Sequence, residues 1–154
     1  MKNLAPCLWF SDGNCEEAIQ YYVDTFPDSH IQQIVRYPDA TLDEHFEGME
    51  GKVITAEFTL GGHQYIALDG GPVFRFNEAI SITILCDDQA EIDYFWYKLS
   101  FVPEAEQCGW AKDQFGLSWQ IIPANMGALQ TKPAQIQAMM QMKKIIIQDL
   151  VDLA

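Results

Sequence analysis

Apolar and polar positions change period in a set order along this chain. Leu4 to Phe10 is an apolar stretch ahead of Ser11-Asp12-Gly13, which predicts a strand. Asn14 then stands as a candidate N-cap, with Glu17 three residues on as a capping box requires. Ala18, Ile19, Tyr22, Val23 and Phe26 recur at helical spacing, and Pro27 ends that helix. His30 to Tyr37 reads as a second strand, and Pro38 to Gly51 as a polar, acidic loop. Lys52 to Leu60 alternates, with Ile54, Ala56, Phe58 and Leu60 on one face and Thr55, Glu57 and Thr59 on the other. Gly61-Gly62 predicts a hairpin turn, and His63 to Asp69 the returning strand, closed by Gly70-Gly71-Pro72.

The same order then begins again. Ala79 to Cys86 predicts a strand. Asp88 is an N-cap candidate with Glu91 three residues later, and Ile92, Phe95, Trp96 and Leu99 form the helical stripe. A short strand is expected around Pro103 to Gln107, followed by Cys108 to Lys112, a turn at Asp113-Gln114-Phe115-Gly116, and a last strand from Leu117 to Pro123. Both halves read strand, capped helix, three strands. Such self-similarity predicts a duplicated unit about a pseudo-twofold axis, with a small-molecule pocket between the copies. Module one covers about residues 3–70 and module two about 78–123, in a single α+β domain over 1–154. From Lys132-Pro133 a helical tail follows, to about residue 153. Ile136, Met139, Met140 and Lys143 lie near one stripe, and a short second turn is expected at Gln148 to Leu153. The tail reads as packing on the sheet or on a partner subunit, and the methionines as core filler.

Composition narrows the function. The 154 residues suit one domain, and 49% are apolar, enough for a real core. A formal charge of −13 argues against a nucleic-acid partner, because phosphate binding needs a Lys/Arg surface. No apolar run approaches the roughly 20 residues of a membrane span, and the first residues lack an apolar leader segment. Cys7, Cys15, Cys86 and Cys108 are widely spaced and form no C-x-x-C pair. Reduced thiols in a cytoplasmic protein are therefore expected, with no membrane contact.

Several strings then coincide: Pro6-Cys7-Leu8-Trp9-Phe10, Gly13-Asn14-Cys15-Glu16-Glu17-Ala18, Phe26-Pro27-Asp28-Ser29, Ile66-Ala67-Leu68-Asp69-Gly70-Gly71, Phe76-Asn77-Glu78-Ala79-Ile80-Ser81, Gln107-Cys108-Gly109-Trp110 and Lys112-Asp113-Gln114-Phe115-Gly116-Leu117-Ser118-Trp119-Gln120. In this order they resemble the PhnB-like branch of the glyoxalase/bleomycin-resistance/extradiol-dioxygenase superfamily, the vicinal oxygen chelate proteins. Members are often labelled 3-demethylubiquinone-9 3-methyltransferase domains. The resemblance implies two βαβββ modules whose mixed sheet curls round a cavity, and a homodimer. It also implies a divalent metal held by four inward side chains, one from the first and one from the last strand of each module. Carried across, those positions fall at Cys7, Ala67, Ser81 and Gln120, the first two placed to within one or two residues. This set does not make a metal site, because Ala67 cannot ligate, Ser81 is a poor ligand and Gln120 is a neutral amide. His30, His45 and His63 have no paired spacing. Asp39, Asp43, Glu44, Glu47 and Glu50 lack the spacing of a calcium loop and read as a solvated surface. No G-x-G-x-x-G-like turn joins a strand to a helix, so the methyltransferase label has no cofactor motif behind it.

Strand parity gives the expected cavity lining. Cys7 shares a face with Trp9, Ala67 with Asp69, Ser81 with Thr83 and Gln120 with Ser118. Glu57 lies on the Thr55/Thr59 face; Cys108 and Trp110 lie on the Cys108 to Lys112 segment, and Trp9 and Trp110 supply an aromatic wall. Ile80, Ile82 and Ile84 should face the helices, as should Trp119 and Ile121. Such a lining suits a small, partly aromatic or polar ligand. Two classes follow. One is a metal-free and cofactor-free small-molecule-binding protein. The other is an enzyme, either metal-dependent or using Glu57, Asp69 or Cys7 as acid, base or nucleophile. Ubiquinone-precursor methylation is a third reading, implied only by the label.

Overall fold

A computed structural model of the chain describes residues 3–38 and 47–154. Asp39, Asp43, Glu44 and His45 of the acidic loop lie outside the described residues. The fold is α+β, with two separate mixed sheets and helices at the C-terminal end. The chain divides into two compact units, Met1–Phe76 and Asn77–Ala154.

In the first unit, β1 (Cys7–Phe10), α1 (Cys15–Thr25), β2 (His30–Arg36), β3 (Val53–Leu60) and β4 (His63–Asp69) follow the expected order. The sheet order is β1-β4-β3-β2; β1 and β4 run parallel and the other pairs antiparallel. Helix α1 buries Cys15, Ala18, Ile19, Tyr22 and Thr25. On the sheet, Leu8, Phe10, Ala56, Phe58, Leu60, Tyr65, Ala67 and Asp69 are buried in alternating register. Phe58 and Tyr65 are cross-strand partners with rings stacked at 5.5 Å.

The expected cap of α1 is replaced. Asn14 makes no side-chain cap bond. Asp69, at the far end of β4, takes that role: its Oδ1 accepts from Cys15 N at 2.9 Å, and its Oδ2 accepts from Val53 N at 2.9 Å. A carboxylate at a helix N-terminus is favoured by the unpaired N–H groups and the helix dipole. Local sequence could not show this cap, because its donor and acceptor lie 54 residues apart.

The second unit contains β5 (Ile82–Cys86), α2 (Gln89–Leu99), β6 (Trp110–Lys112) and β7 (Ser118–Pro123), with sheet order β5-β7-β6. Here the expected cap forms. Asp88 Oδ1 accepts from Glu91 N at 2.9 Å, and Glu91 Oε2 accepts from Asp87 N at 2.8 Å. The strand expected at Pro103 to Gln107 is absent. Pro103–Ala105 is a 3₁₀ turn, and Gln107 contributes only an isolated bridge to Trp110. Proline at the start of that segment supplies no N–H for a ladder and suits the first position of a helical turn. Ile80, expected against the helices, lies ahead of β5 and is 76% exposed.

The tail forms α3 (Pro133–Gln141) and α4 (Ile147–Val151). Its buried anchor is Gln135, not the methionine stripe; Ile136 and Met140 are exposed. Gln135 Oε1 accepts from Thr131 N, Thr131 Oγ1 and Lys132 N, while Nε2 donates to Leu150 O at 3.0 Å. Gln89 makes a second tie from α2, donating to Ile145 O and accepting from Ile147 N. Buried amides keep this location because every polar atom is matched.

Asp69→Asn keeps the shape but replaces one acceptor with a donor facing an N–H. It is expected to destabilise the fold by about 2–4 kcal/mol, since hydrogen bonds to a charged group are worth roughly 1.5–3 kcal/mol each. Urea denaturation, comparing midpoints at unchanged slope, measures this.

Candidate functional site

Strand register decides which side chains share a face. In the first unit Cys7 pairs with Ile66, Leu8 with Ala67, Trp9 with Leu68 and Phe10 with Asp69. Ile66 in turn pairs with Glu57, and Glu57 with Gln33. One row therefore crosses all four strands as Cys7, Ile66, Glu57 and Gln33, on the face turned away from α1. Trp9 and Leu68 form the next step of the same face. Cys7, Trp9 and Glu57 are thus brought together as expected. Ala67 and Asp69 are not: both point into the buried face beneath α1. The partner of Cys7 on the last strand is Ile66, one residue before the expected position. Both faces of β4 carry apolar side chains, so hydropathy alternation leaves its parity open, and pairing with β1 and β3 settles it.

Trp9 is fixed by three contacts. Its Nε1 donates to Gly71 O at 2.9 Å, and Phe74 meets its ring edge-on at 4.9 Å. Its ring also lies against Gly70, where an added Cβ would come within 2.0 Å of the indole. The Gly70-Gly71 pair thus does more than close a strand: Gly70 makes room for an aromatic wall. Sequence carried the signal as a glycine beside a strand end, which marks close approach as often as a turn.

In the second unit Thr83 pairs with Gln120, and Gln120 with Trp110; Ser118 pairs with Lys112. Thr83, Gln120, Trp110 and Ser118 therefore share one face, as expected from parity. Trp119 and Ile121 lie on the other face, almost fully buried, in the layer to which α2 contributes Ile92, Phe95 and Leu99. Trp119 Nε1 donates to Asp113 Oδ2 at 2.8 Å, and Asp113 Oδ1 accepts from Phe115 N and Leu117 N, so this aspartate shapes the turn between β6 and β7. Ser81, just ahead of β5, joins the polar face by accepting from Gln120 Nε2 at 2.9 Å. Cys108 does not join it. It occupies a left-handed turn (φ 50°) whose backbone N–H donates to Met142 O in the tail.

Each unit's pair of strands offers a poor donor set for the implied metal. The first supplies Cys7 and Ile66, and the second supplies Gln120 with Thr83 and Ser81. A thiol, an alkyl chain, two hydroxyls and an amide do not match the His/Glu chemistry of a divalent site. Nor do the described residues contain a group of three or more His, Cys, Asp or Glu side chains placed to hold a metal.

Cys7, Cys15 and Cys86 are not set up as nucleophiles. Cys7 reaches solvent, yet partial burial raises its pKa above the usual thiol value. Burial, reinforced by the Asp69 charge, pushes Cys15 up to about 12, and burial with the Glu91, Asp87 and Asp88 charges does the same for Cys86. A raised pKa keeps the thiol protonated at neutral pH, and the thiolate is the reactive form. Iodoacetamide at pH 8 is expected to leave Cys15 and Cys86 unmodified in folded protein and to alkylate them in urea, as read by peptide mass mapping. Gly70→Ala should displace the Trp9 indole and cost about 1–3 kcal/mol by overpacking. A shifted Trp9 Nε1–H resonance and a lower urea midpoint report the two effects.

The 3-demethylubiquinone-9 3-methyltransferase family matches residues 2–122. Among solved structures, the PhnB protein from Bacillus cereus, provisionally assigned as a 3-demethylubiquinone-9 3-methyltransferase, is 33% identical. It covers 79% of this chain and 99% of its own, with a TM-score of 0.64. A protein from Pseudomonas aeruginosa shares the fold at 18% identity and a TM-score of 0.57, over 80% of this chain and 98% of its own. No curated protein matches the sequence. The extent of the family match, together with a relative at this identity over most of the chain, establishes that the chain belongs to the 3-demethylubiquinone-9 3-methyltransferase family.

Proposed function

We propose that this chain is a small-molecule-binding protein of the glyoxalase/bleomycin-resistance superfamily that works without the divalent ion of its metal-dependent relatives. The observation that carries this reading is the strand register. It places Cys7 opposite Ile66, one residue from the Ala67 position, and the fold joins Gln120 to Ser81 by a hydrogen bond, so these residues stand at or beside the four positions where the superfamily resemblance implies ligands. What stands there suits contact with an organic molecule: an aromatic wall at Trp9 or Trp110, hydroxyls at Thr83 and Ser81, the amide of Gln120 and the exposed carboxylate of Glu57. In either unit, the reading places a ligand on the sheet face turned away from that unit's helix.

Family membership favours a second reading, methyl transfer. The residues here do not fit the common grip on S-adenosylmethionine. That grip needs a parallel sheet and a glycine-rich turn leading into a helix with free N–H groups. In this chain β1 has one parallel neighbour within an otherwise antiparallel sheet. The turn into α1 has the single glycine Gly13, and Asp69 already holds the Cys15 N–H. Calorimetry with S-adenosylmethionine is expected to give no binding heat; micromolar binding would restore the second reading.

A thermal-shift screen of aromatic and planar polar compounds tests the first reading. A ligand present at 100 times its Kd stabilises by about 2.7 kcal/mol, which for a chain of this size raises Tm by about 5–11 °C. The shift is expected to survive addition of EDTA. Stoichiometric zinc, nickel, manganese or iron in protein purified without chelators would sink the metal-free reading.

A further inference from the structure

The tail presents a helix face that is left open to solvent. The family match ends at residue 122, so α3 and α4 lie beyond it. Both ends of α3 are tied down. Gln135 fixes its first turn through Thr131, Lys132 and Leu150. At the other end Gln107 Nε2 donates to Met140 O at 2.7 Å, and Cys108 N and Gly109 N donate to Met142 O and Lys143 O. On the outer side of this fixed helix, Pro133, Ile136, Gln137, Met140 and Gln141 line an open groove of about 420 Å³. They follow the i, i+3, i+4, i+7, i+8 spacing of one helix face, the stripe on which a second helix packs. Ile136 is 40% exposed and Met140 55%, so apolar surface is held in water on a rigid support.

Charge decides what fits there. The chain has 22 acidic and 9 basic residues, yet no Asp or Glu occurs from Gln114 to Gln148. Lys143 and Lys144 at the end of the tail's first helix are ion-paired with Glu106 and Asp93. The groove lining itself is uncharged and offers no counter-charge to an acidic or basic peptide. For two copies of this chain the same lining is an advantage. A net charge of −13 on each drives most of their faces apart, and here they can meet without bringing carboxylates together. The two glutamines add self-complementarity. A primary amide holds both a donor and an acceptor, so Gln137 and Gln141 can pair with the same residues of a second copy, which a carboxylate or an ammonium group cannot do.

We propose that α3 is a self-association surface, on which two copies of this chain pair groove to groove about a twofold axis. Such a contact sets Ile136 and Met140 against the same stripe of the second copy, and every substitution in it counts twice. A helix of nine residues makes a small contact, so the pairing is transient and depends on concentration. It is independent of what either sheet binds.

Sedimentation equilibrium of the full chain between about 10 and 500 µM tests this. The weight-average mass is expected to rise toward twice that of one chain. Raising NaCl from about 0.05 to 0.5 M should strengthen the pairing, because salt screens the repulsion between two acidic copies. Ile136→Lys and Met140→Lys each bring a charge to both sides of the contact. Each should weaken association about a hundredfold, roughly tenfold for each copy. Both side chains are exposed, so Tm at low concentration should be unchanged, which separates lost pairing from lost folding. Monomer at every concentration and salt overturns the inference and leaves the groove to a different partner. A dimer that either lysine variant leaves intact also overturns it, since the copies then meet elsewhere. Pairing that weakens as salt rises overturns it as well, because that is the mark of contact between opposite charges.

Discussion

The Asp69 carboxylate is the tie on which the first unit depends. One oxygen caps α1 at Cys15 and the other holds the first residue of β3 at Val53, while the residue itself ends β4. Three segments distant in sequence meet at one charged group. The cost of burying that charge is offset by two backbone N–H groups and the dipole of α1. This commitment also settles the chemistry of the residue. An aspartate with each oxygen engaged by a backbone N–H, buried beneath a helix, is not presented to a ligand. The same cap turns Ala67 and Tyr65 inward with it, and so sends Ile66 and Leu68 to the opposite face.

Much of the fold was legible because local signals agreed with one another. The Lys52 to Leu60 alternation, the Gly61-Gly62 hairpin and the Asp88 cap each have a short-range cause, and each stands where the pattern puts it. The misses share another cause. Asn14 fails as a cap because a residue from another strand outcompetes it. Pro103 to Gln107 fails as a strand because proline starts a helical turn. The apolar stripe of α3 fails as the packing face because a buried glutamine with four partners fixes the helix instead.

The candidate site divides along the same line. Ser118 and Gln120 were readable together because they alternate with Trp119 and Ile121, which are large and apolar. β4 has no such contrast, so Ala67 was placed one residue from Ile66. Gly70 left only the ambiguous signal of a glycine beside a strand end, and the role of Phe74 around Trp9 was not readable at all, since it arises from a segment folding back over β1. At the positions where the superfamily resemblance implies metal ligands, the sequence carries a thiol, an alkyl chain, hydroxyls and an amide, and this chemistry is indifferent to the one-residue error.

That returning segment has a mechanical consequence. Phe74 packs on Trp9 and Phe76 on Phe10, side chains on opposite faces of β1, and Arg75 between them reaches Ser11 and Asp12. The strand is gripped like a page between two fingers. β1 is only four residues long and lies at the end of its sheet order, the place where a strand most readily peels away or recruits a foreign one. A clasp that closes on both of its faces raises the cost of peeling, so the residues that steady Trp9 also hold the margin of the sheet in place.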